Sequence, residues 1–334
     1  MTQEKHGIRI DEQTAVKRLQ AADRILLLSH RSPDGDTLGS GLALYYALTA
    51  LGKEVKLICS DEFPKKFDYL YEDRSFEKPL SGEPELIVAV DLAARALFGE
   101  KNSLYAAKTD LCIDHHVSNE LYAKETYLVA EASSTCEIMT NVLLNLNVEL
   151  SPLMANCLYT GLITDTGCFM YSCTSAHTHE TAALLIEAGA DYVHINEKMF
   201  GIKSKARVMV EREIYKTMEF YEEGKISFVY IPQSLLEESG ADETEVDGVA
   251  SLARQIEGVD VAITLREQEE NTPFRVSIRT SENVDATKIA RKFGGGGHVR
   301  AAGCSVSGSF QEAKELLIEA AREAILAEEA PKNV

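Results

Sequence analysis

The chain has 334 residues, of which 45% are hydrophobic and 26% charged, and its formal net charge at pH 7 is −19. These proportions are ordinary for a globular protein of about two domains and exclude a disordered or fibrous chain. Proteins that grip long nucleic acid usually carry a basic surface that displaces counterions, so this charge argues against that class. Either the substrate is small, or its contacts are concentrated in one place.

The N-terminal residues lack the basic and apolar regions of a secretory signal, and no apolar run reaches the length of a membrane span. The seven cysteines are scattered, odd in number and without a CxxC pair, which indicates free thiols rather than a disulfide framework. We therefore expect a cytoplasmic protein with no membrane partner.

The first part of the chain alternates between predicted strands and helices. In chain order the pattern predicts a helix over 11–23, strands over 25–28, 54–59, 86–90 and 111–113, and helices over 38–51, 134–146, 151–163, 175–188 and 193–200, with an irregular, exposed segment over 61–84. Apolar strands that are separated by helices predict a parallel sheet with right-handed crossovers.

Polar side chains follow three of these apolar strands at the point where each strand ends. The loop SHRSPDGDTLGS over 29–40 follows the first strand, Asp91 follows the strand over 86–90, and Asp114-His115-His116 follows the strand over 111–113. Because the carboxyl ends of parallel strands meet at one edge of a sheet, we expect these side chains to lie together there.

These side chains are of the types that bind hard divalent cations. The candidates share nitrogen or oxygen donors without any thiolate and are His30, Asp34, Asp36, Asp91, His115, His116 and Asp165. Such donors suit Mn²⁺, Mg²⁺ or Fe²⁺ better than structural zinc. Four carboxylates are excessive for one ion but suit two ions about 3.5–4 Å apart, which polarise a phosphoryl oxygen and generate a hydroxide for in-line attack.

Each signal also has an ordinary structural explanation. An aspartate after a strand is typical of a turn or a helix cap, adjacent histidines are common on surfaces, and Ser133-Ser134-Thr135 is typical of a helix N-terminus. The Ser-Thr-Cys-Glu spacing over 134–137 is that of a capping box. The joint occurrence of these features at strand and helix ends of one domain favours a site.

The pattern changes in the last third of the chain. Strands are predicted over 226–231, 259–265 and 274–280, and helices over 246–256 and 309–326. We therefore divide the chain into a first domain over 1–190, a helical connector over 191–223 and a smaller α/β domain over 224–334.

This second domain contains a locally basic segment. Residues 275–303 include six basic and two acidic residues, so the segment has a net charge of +4 within a chain whose net charge is −19. Four consecutive glycines at 294–297 precede His298 and Arg300, and glycines let a backbone approach phosphate closely, although a flexible loop has the same sequence. Arg279, at the end of a predicted strand, is a candidate for a terminal phosphate.

At these positions the sequence resembles a known family. HRSPDGDTLGS over 30–40, VAVD ending at Asp91, DHH over 114–116 and DTG over 165–167 resemble the four signature motifs of the DHH phosphoesterase superfamily. GGGGHVRAAG over 294–303 resembles its DHH-associated substrate domain. The resemblance covers nearly the whole chain and is strongest to the branch of bifunctional oligoribonucleases and pAp phosphatases.

The resemblance implies the fold and the roles of the residues. It implies an α/β fold, with a mainly parallel sheet flanked by helices in the DHH domain and a smaller α/β substrate-binding domain. One metal ion would be held by His30, Asp34 and Asp91, and the other by Asp36, Asp91, His115 and Asp165. Asp114 would orient an imidazole, and His116 would face the substrate phosphate. The substrate contacts would be Ser133, Ser134, Thr135, Arg279, Gly295, Gly296, Gly297, His298 and Arg300.

The implied activity is that of a phosphohydrolase with two divalent ions, Mn²⁺ first and Mg²⁺, Co²⁺ or Fe²⁺ as alternatives. Its substrates would be RNAs of about two to five nucleotides, degraded to 5′-mononucleotides, and pAp, dephosphorylated to AMP; a local basic segment suits such short chains. Two alternatives stay open: a phosphodiesterase for cyclic di-AMP or linear pApA and pGpG, and a nucleotide sensor without turnover. The sequence also leaves open a homodimer.

Overall fold

The computed structural model describes residues 7–241, 246, 248–268 and 272–329. The chain divides into two compact units, Met1–Ile202 and Lys203–Val334, and each has a sheet of its own. The segment 191–223, interpreted above as a connector, contains the end of the first unit and the first helix of the second.

The first unit is an α/β fold. Its described strands are β1 (Ile8–Arg9), β2 (Arg24–Leu28), β3 (Glu54–Ile58), β4 (Leu86–Val90), β5 (Leu111–Asp114) and β6 (Glu125–Leu128). Its described helices are α1 (Glu12–Ala21), α2 (Gly35–Ala50), α3 (Gly99–Asn102), α4 (Thr135–Asn145), α5 (Pro152–Asp165), α6 (Ala176–Glu187) and α7 (Tyr192–Asn196), the last followed by a π-helical turn over Glu197–Gly201. The predicted parallel sheet is confirmed, and among the described strands and α-helices of this unit the pattern misses β1 and β6, which are two and four residues long, and the four-residue helix α3.

The sheet of the first unit has the strand order β1-β6-β5-β4-β2-β3, and every neighbouring pair is parallel. All five residues of the central strand β4 are buried, as expected for a strand covered by helices on both faces. Since β2, β4 and β5 lie side by side and run in the same direction, their carboxyl ends meet at one edge. The predicted convergence of the residues that follow these strands is therefore confirmed.

Helices α2 and α5 approach each other closely because small residues face each other between them. A Cβ atom added at Gly39 would lie 2.3 Å from the carbonyl oxygen of Cys157, and one added at Gly35 would lie 2.3 Å from Thr164 Oγ1. The start of α2 thus lies against the end of α5. This contact brings the loop before α2 to Asp165, the last residue of α5.

The segment 61–84 differs from its prediction. It contains two 3₁₀ turns, over Lys65–Leu70 and Ser75–Glu77, and the side chains of Phe67, Leu70 and Phe76 are buried in the core. The expectation of an irregular, exposed segment holds for most of its residues but is wrong for these apolar side chains, whose burial outweighs the absence of a regular period.

The second unit is a mixed α/β fold. Its described strands are β7 (Glu219–Tyr221), β8 (Ile226–Ile231), β9 (Val261–Arg266), β10 (Phe274–Thr280), β11 (Gly296–His298) and β12 (Ala301–Val306), and its described helices are α8 (Lys205–Thr217), α9 (Gln233–Ser239), α10 (Ala286–Arg291) and α11 (Phe310–Glu329). The strand order is β11-β12-β10-β9-β8-β7; β8 and β9 are parallel and the other pairs antiparallel. One face packs on α10 and α11, and the other on α8 and α9.

Two local predictions in this unit need correction. The helix predicted over 246–256 is wrong: the described part of that segment forms 3₁₀ turns over Gly248–Ser251 and Ala253–Gln255. The buried residues Val246, Val249 and Leu252 recur every third residue, the period of a 3₁₀ helix. The glycine run is no simple loop, since its last part forms β11 and pairs with β12.

No helix in the described part of the chain combines the length and the apolar character needed to cross a membrane.

The close packing of α2 on α5 leads to a stability prediction. Gly39→Ala is expected to lower the free energy of unfolding by about 1–3 kcal/mol, although alanine favours helices, because the methyl group meets the backbone of α5. The control is Gly82→Ala, since the nearest atom to its added Cβ is Arg24 Nε at 3.6 Å, and we expect a change of less than about 1 kcal/mol there. Urea unfolding followed by circular dichroism measures both; equal stability of the two variants would contradict the packing argument.

Candidate metal centre

The structure brings all six predicted metal ligands of the first unit together. Their nitrogen and oxygen atoms form overlapping groups in which all ligand atoms lie within 4.8 Å of one another. Among the described residues these groups are His30 with Asp34 and Asp91, Asp36 with His115 and Asp165, and Asp91 with His115 and His116. We call His30, Asp34, Asp36, Asp91, His115 and Asp165 the centre. Asp91 belongs to two of these groups and therefore links them.

The first group is built on the loop between β2 and α2. His30 Nε2 lies 3.6 Å from Asp34 Oδ1 and 3.5 Å from Asp91 Oδ2. The other ring nitrogen, Nδ1, lies 2.7 Å from the carbonyl oxygen of Arg31 and can only donate to it. This contact directs the lone pair of Nε2 towards the carboxylates, as in histidines that bind metals.

The second group joins the ends of three elements. His115 Nε2 lies 3.2 Å from Asp165 Oδ2 and 3.9 Å from Asp36 Oδ2. Its Nδ1 faces the carbonyl oxygen of Ala132 at 3.3 Å. Both histidines of the centre thus turn one nitrogen to a backbone carbonyl and the other to carboxylates.

Asp36 is held by the N-terminus of α4. The backbone N–H of Thr135 donates to Asp36 Oδ2 at 2.7 Å, and that of Cys136 donates to Oδ1 at 2.8 Å. Ser134 is the N-cap of this helix and accepts from the N–H of Glu137. The first N–H groups of α4, which ordinarily favour an anion, therefore bind a carboxylate of the protein itself.

Asp91 has an unusual backbone conformation and a buried side chain. Its φ is 54°, in the left-handed region that costs an ordinary residue about 1–3 kcal/mol, and its side chain is 2% exposed. The N–H of Asp91 donates to the carbonyl of Ile113 at 3.0 Å, and the hydroxyl of Thr135 donates to its Oδ1 at 2.9 Å. Burial and the neighbouring Asp36 carboxylate raise the pKa of Asp91 well above its usual value.

Asp165, His30 and His115 also have shifted pKa values, and neighbouring carboxylates contribute to each shift. Burial and the Asp36 carboxylate raise the pKa of Asp165 to about 7. Burial lowers the pKa of both imidazoles, but neighbouring carboxylates outweigh it: Asp34 and Asp91 raise the pKa of His30 to about 11, and Asp165, Asp36 and Asp91 raise that of His115 to about 10. Every one of these shifts is what an excess of negative charge produces.

The donor set fits a divalent cation. Within the described residues, the buried His115 Nε2 has no hydrogen-bond partner, although carboxylate oxygens surround it. An orphaned imidazole nitrogen among crowded carboxylates is costly unless a cation lies between them. Oxygen and nitrogen donors without thiolates suit Mn²⁺ or Mg²⁺.

His116 is held by Asp114 rather than by a backbone carbonyl. Its Nδ1 donates to Asp114 Oδ1 at 2.8 Å, and 30% of its side chain is exposed. Asp114 also accepts from the N–H of His115 at 2.8 Å and from Asn119 Nδ2 at 2.5 Å. Burial opposes ionisation of Asp114, yet its hydrogen bonds, led by that from His116, lower its pKa. Asn119 is not among the predicted site residues, and its place in the loop after the DHH run is the one sequence feature that points to it.

The hydroxyl groups at the start of α4 are engaged inside the protein. Ser133 donates to Glu137 Oε2 at 2.5 Å, and Thr178 of α6 donates to the same oxygen at 2.7 Å. Glu137 is buried and was considered above only for its place in a capping box; its carboxylate instead connects α4 to Ser133 and α6. A contact of Ser133, Ser134 or Thr135 with phosphate stays a prediction.

The candidate residues of the second unit lie on β10, β11 and the turn that follows. Arg300 is exposed, but its Nη1 donates to the carbonyl oxygens of Ser281 at 2.7 Å and Val284 at 2.9 Å. Arg279 is partly buried on β10. A role of these side chains in binding substrate stays a prediction.

The glycines beside β11 are required by its approach to β12. A Cβ atom at Gly295 would lie 2.2 Å from the carbonyl oxygen of Gly303, and one at Gly297, where φ is 143°, would lie 2.5 Å from that of Ala301. Gly296 and His298 are exposed on β11. The run thus has a structural reason of its own, beside the predicted contact with substrate.

Comparison with known proteins places both units. The model described as DHH family, N-terminal domain matches residues 24–162, and the DHHA1 domain matches residues 224–327. The bifunctional oligoribonuclease and PAP phosphatase NrnA of Thermus thermophilus is 31% identical over 306 residues, which are 90% of this chain and 89% of that protein. The probable bifunctional oligoribonuclease and PAP phosphatase NrnA of Streptococcus mutans is 27% identical over 91% of this chain and 98% of its own length.

A solved structure supports the same fold. An exopolyphosphatase-related protein from Bacteroides fragilis superposes with a TM-score of 0.87 at 25% sequence identity, covering 95% of this chain and 97% of that chain. The match extends through both units of the chain. With the two domain matches and the 31% identity to the Thermus protein, the chain belongs to the DHH family of phosphoesterases and contains its DHHA1 domain.

Proposed function

We propose that this protein hydrolyses RNAs of about two to five nucleotides to 5′-mononucleotides and removes the 3′-phosphate of pAp to give AMP. The observation that carries the proposal is the centre itself, where four carboxylates and two imidazoles converge at the edge of the parallel sheet. The names of the Thermus and Streptococcus relatives, which match nearly full length, support these substrates. Both substrates present a phosphorus atom linked to a 3′-oxygen.

The centre is proposed to hold two divalent cations, most simply Mn²⁺. His30, Asp34 and Asp91 would hold one, and Asp36, Asp91, His115 and Asp165 the other; Asp91 also groups with His115, which in turn groups with Asp36 and Asp165. When bound, two such ions polarise a phosphoryl oxygen and lower the pKa of water to about 7. The protein contributes fixed ligands and a buried environment in which charge interactions are strong.

His116 is proposed to act on the substrate, and Asp114 to position it. Burial lowers the pKa of His116, but the hydrogen bond to Asp114 and the nearby Asp91 carboxylate raise it above its ordinary value. With Nδ1 donating to Asp114, Nε2 would be the ring nitrogen that faces the substrate. Such a group can donate to a phosphate oxygen or protonate the leaving 3′-oxygen.

The second unit is proposed to bind the nucleotide through its basic segment. Arg279 would bind a terminal phosphate, and the glycine run with His298 and Arg300 would contact the nucleotide backbone. A net charge of +4 over residues 275–303 neutralises few phosphates, which suits short RNA and disfavours long nucleic acid. All seven cysteines are free in the structure, which supports a reducing, cytoplasmic setting.

One assay with purified protein and Mn²⁺ decides between the candidate substrates. It compares 5′-labelled RNAs of two, five and twenty-four residues with pAp and cyclic di-AMP by chromatography, and we expect fast loss of the two short RNAs and of pAp. Preference for cyclic di-AMP would instead favour second-messenger hydrolysis. Chelation by EDTA is expected to abolish turnover, and inertness towards all five substrates would contradict the proposed function and favour a sensor.

Because Asp91 is proposed to bind both ions, Asp91→Asn is expected to affect the stability differently with and without metal. In wild type, Mn²⁺ at about a hundred times its dissociation constant is expected to raise the melting temperature by roughly 5–10 °C. Asp91→Asn should lose this shift and all activity, yet melt no lower than wild type without metal, because one of four crowded carboxylates is gone. The control Asp23→Asn, at a side chain 86% exposed, should keep the shift. A full shift in Asp91→Asn would contradict the assignment.

His116 is expected to matter for turnover and not for holding the ions. His116→Gln should lower kcat by about 10²–10⁴-fold, because it removes a proton donor, while the Mn²⁺ shift in melting temperature persists. His177→Gln on α6, where 53% of the side chain is exposed, is the matched control and should leave both unchanged. Loss of the Mn²⁺ shift in His116→Gln would make His116 a ligand instead.

A further inference from the structure

The apolar side chains that are most exposed in the described part of the chain follow residues of the site. Val117, next to His116, is 80% exposed, and Met170, five residues after Asp165, is 72% exposed. Tyr171 beside it is 54% exposed. Other apolar side chains, such as Ile8 and Ile202, are exposed elsewhere in the sequence, so exposure indicates a ligand surface here only together with the structure of the loop that carries Met170 and Tyr171.

The loop that presents Met170 and Tyr171 has a fixed and unusual backbone. Three consecutive residues, Gly167, Cys168 and Phe169, have φ of 56°, 56° and 65°, in the left-handed region. Non-glycine residues persist there only when the surroundings enforce it, and such positions cluster at functional sites. The N–H of Tyr171 donates to the carbonyl of Thr166 at 2.9 Å, which closes the loop.

Two further contacts anchor this loop to the first unit. The Phe169 ring stacks on His179 of α6, with ring centroids 4.8 Å apart, and Cys173 Sγ lies 3.8 Å from the carbonyl oxygen of Asp165. The loop therefore begins at Asp165, a residue of the centre, and its end at Cys173 lies beside the backbone of Asp165. An aromatic side chain on such a support loses little conformational freedom when it binds a ligand.

The ring of Tyr171 packs against Gly167. A Cβ atom at Gly167 would lie 2.4–2.7 Å from three atoms of this ring, so the ring rests on the bare backbone of the glycine. More than half of the side chain remains exposed. Tyr171 lies six residues after Asp165 and packs against Gly167, two residues after Asp165, so its exposed aromatic ring is available to stack on a planar group.

We propose that Tyr171, with Met170 beside it, is the platform on which a nucleobase of the substrate stacks while the phosphate lies at the metal centre. The proposal rests on the function proposed above, since it adds the base to a phosphate-centred site. Stacking on an aromatic ring tolerates every base, because each has a π-face. It would let one site accept both pAp and short RNAs of mixed sequence.

The test compares substrates that differ only in the base. Full-length protein with Mn²⁺ is given pAp and the corresponding 1-deoxyribose 3,5-bisphosphate, which lacks the base, and KM and kcat are measured for each. Tyr171→Ala is expected to raise KM for pAp by about 5- to 150-fold, the effect of losing one stacked base, and to leave the base-free substrate and both kcat values unchanged. Tyr171→Phe keeps the ring and should retain the wild-type KM.

Tyr215→Ala is the matched control, because Tyr215 on α8 is 55% exposed and has no role in the proposed site. If Tyr171→Ala fails to fold, Tyr171→Leu keeps apolar contact with Gly167 and tests the same loss of the ring. An unchanged KM for pAp, or equal losses with both substrates, would overturn the platform. If wild type turns over neither substrate, the proposed function fails, and calorimetry of AMP against ribose 5-phosphate tests the platform separately: equal affinities would overturn it.

Discussion

The fold of the first unit has to hold four carboxylates together, two of which, Asp36 and Asp91, are buried away from water. Asp36 and Asp91 are at most 2% exposed, and like charges at such short range repel strongly in a medium of low dielectric. The raised pKa of Asp91, caused by burial and the Asp36 carboxylate, is the direct sign of that repulsion. Divalent cations would supply the missing charge within a small volume, so the crowding that destabilises the bare chain makes the centre suited to metal.

Helix ends relieve part of the repulsion between the carboxylates, but they stabilise some of the carboxylates more than others. Asp34 caps the start of α2, and Asp36 accepts two N–H groups at the start of α4, so both lie at the positive end of a helix dipole. Asp165 instead closes α5, at the negative end, and burial with the Asp36 charge raises its pKa to about 7. The carboxylates with least support from the protein, Asp91 and Asp165, are therefore those that depend most on a cation.

The sequence predicts the helices and strands that show a regular apolar period, and it predicts the site residues that directly follow a strand. The edge residues Asp91, Asp114 and His115 follow from apolar runs that stop abruptly, and parallel topology then brings them together. Side-chain partners that depend on tertiary packing leave no such trace: Glu137 carries the spacing of a helix cap, yet it receives hydroxyls from Ser133 and the distant Thr178. The buried phenyl rings of segment 61–84 and the 3₁₀ turns after Val246 likewise reflect packing against neighbours, which outweighs local pattern.

The net charge of the chain would favour the proposed short substrates and the proposed stacking contact. A chain of net charge −19 repels a polyanion, and each added phosphate outside the cations and the basic segment increases that repulsion. Attraction is therefore limited to the few phosphates that meet the centre or the arginines, and it weakens as salt rises. Contact between a nucleobase and the Tyr171 ring adds affinity that involves no net charge. With RNA as the proposed substrate, an uncharged contact beside the centre would add binding without attracting long chains.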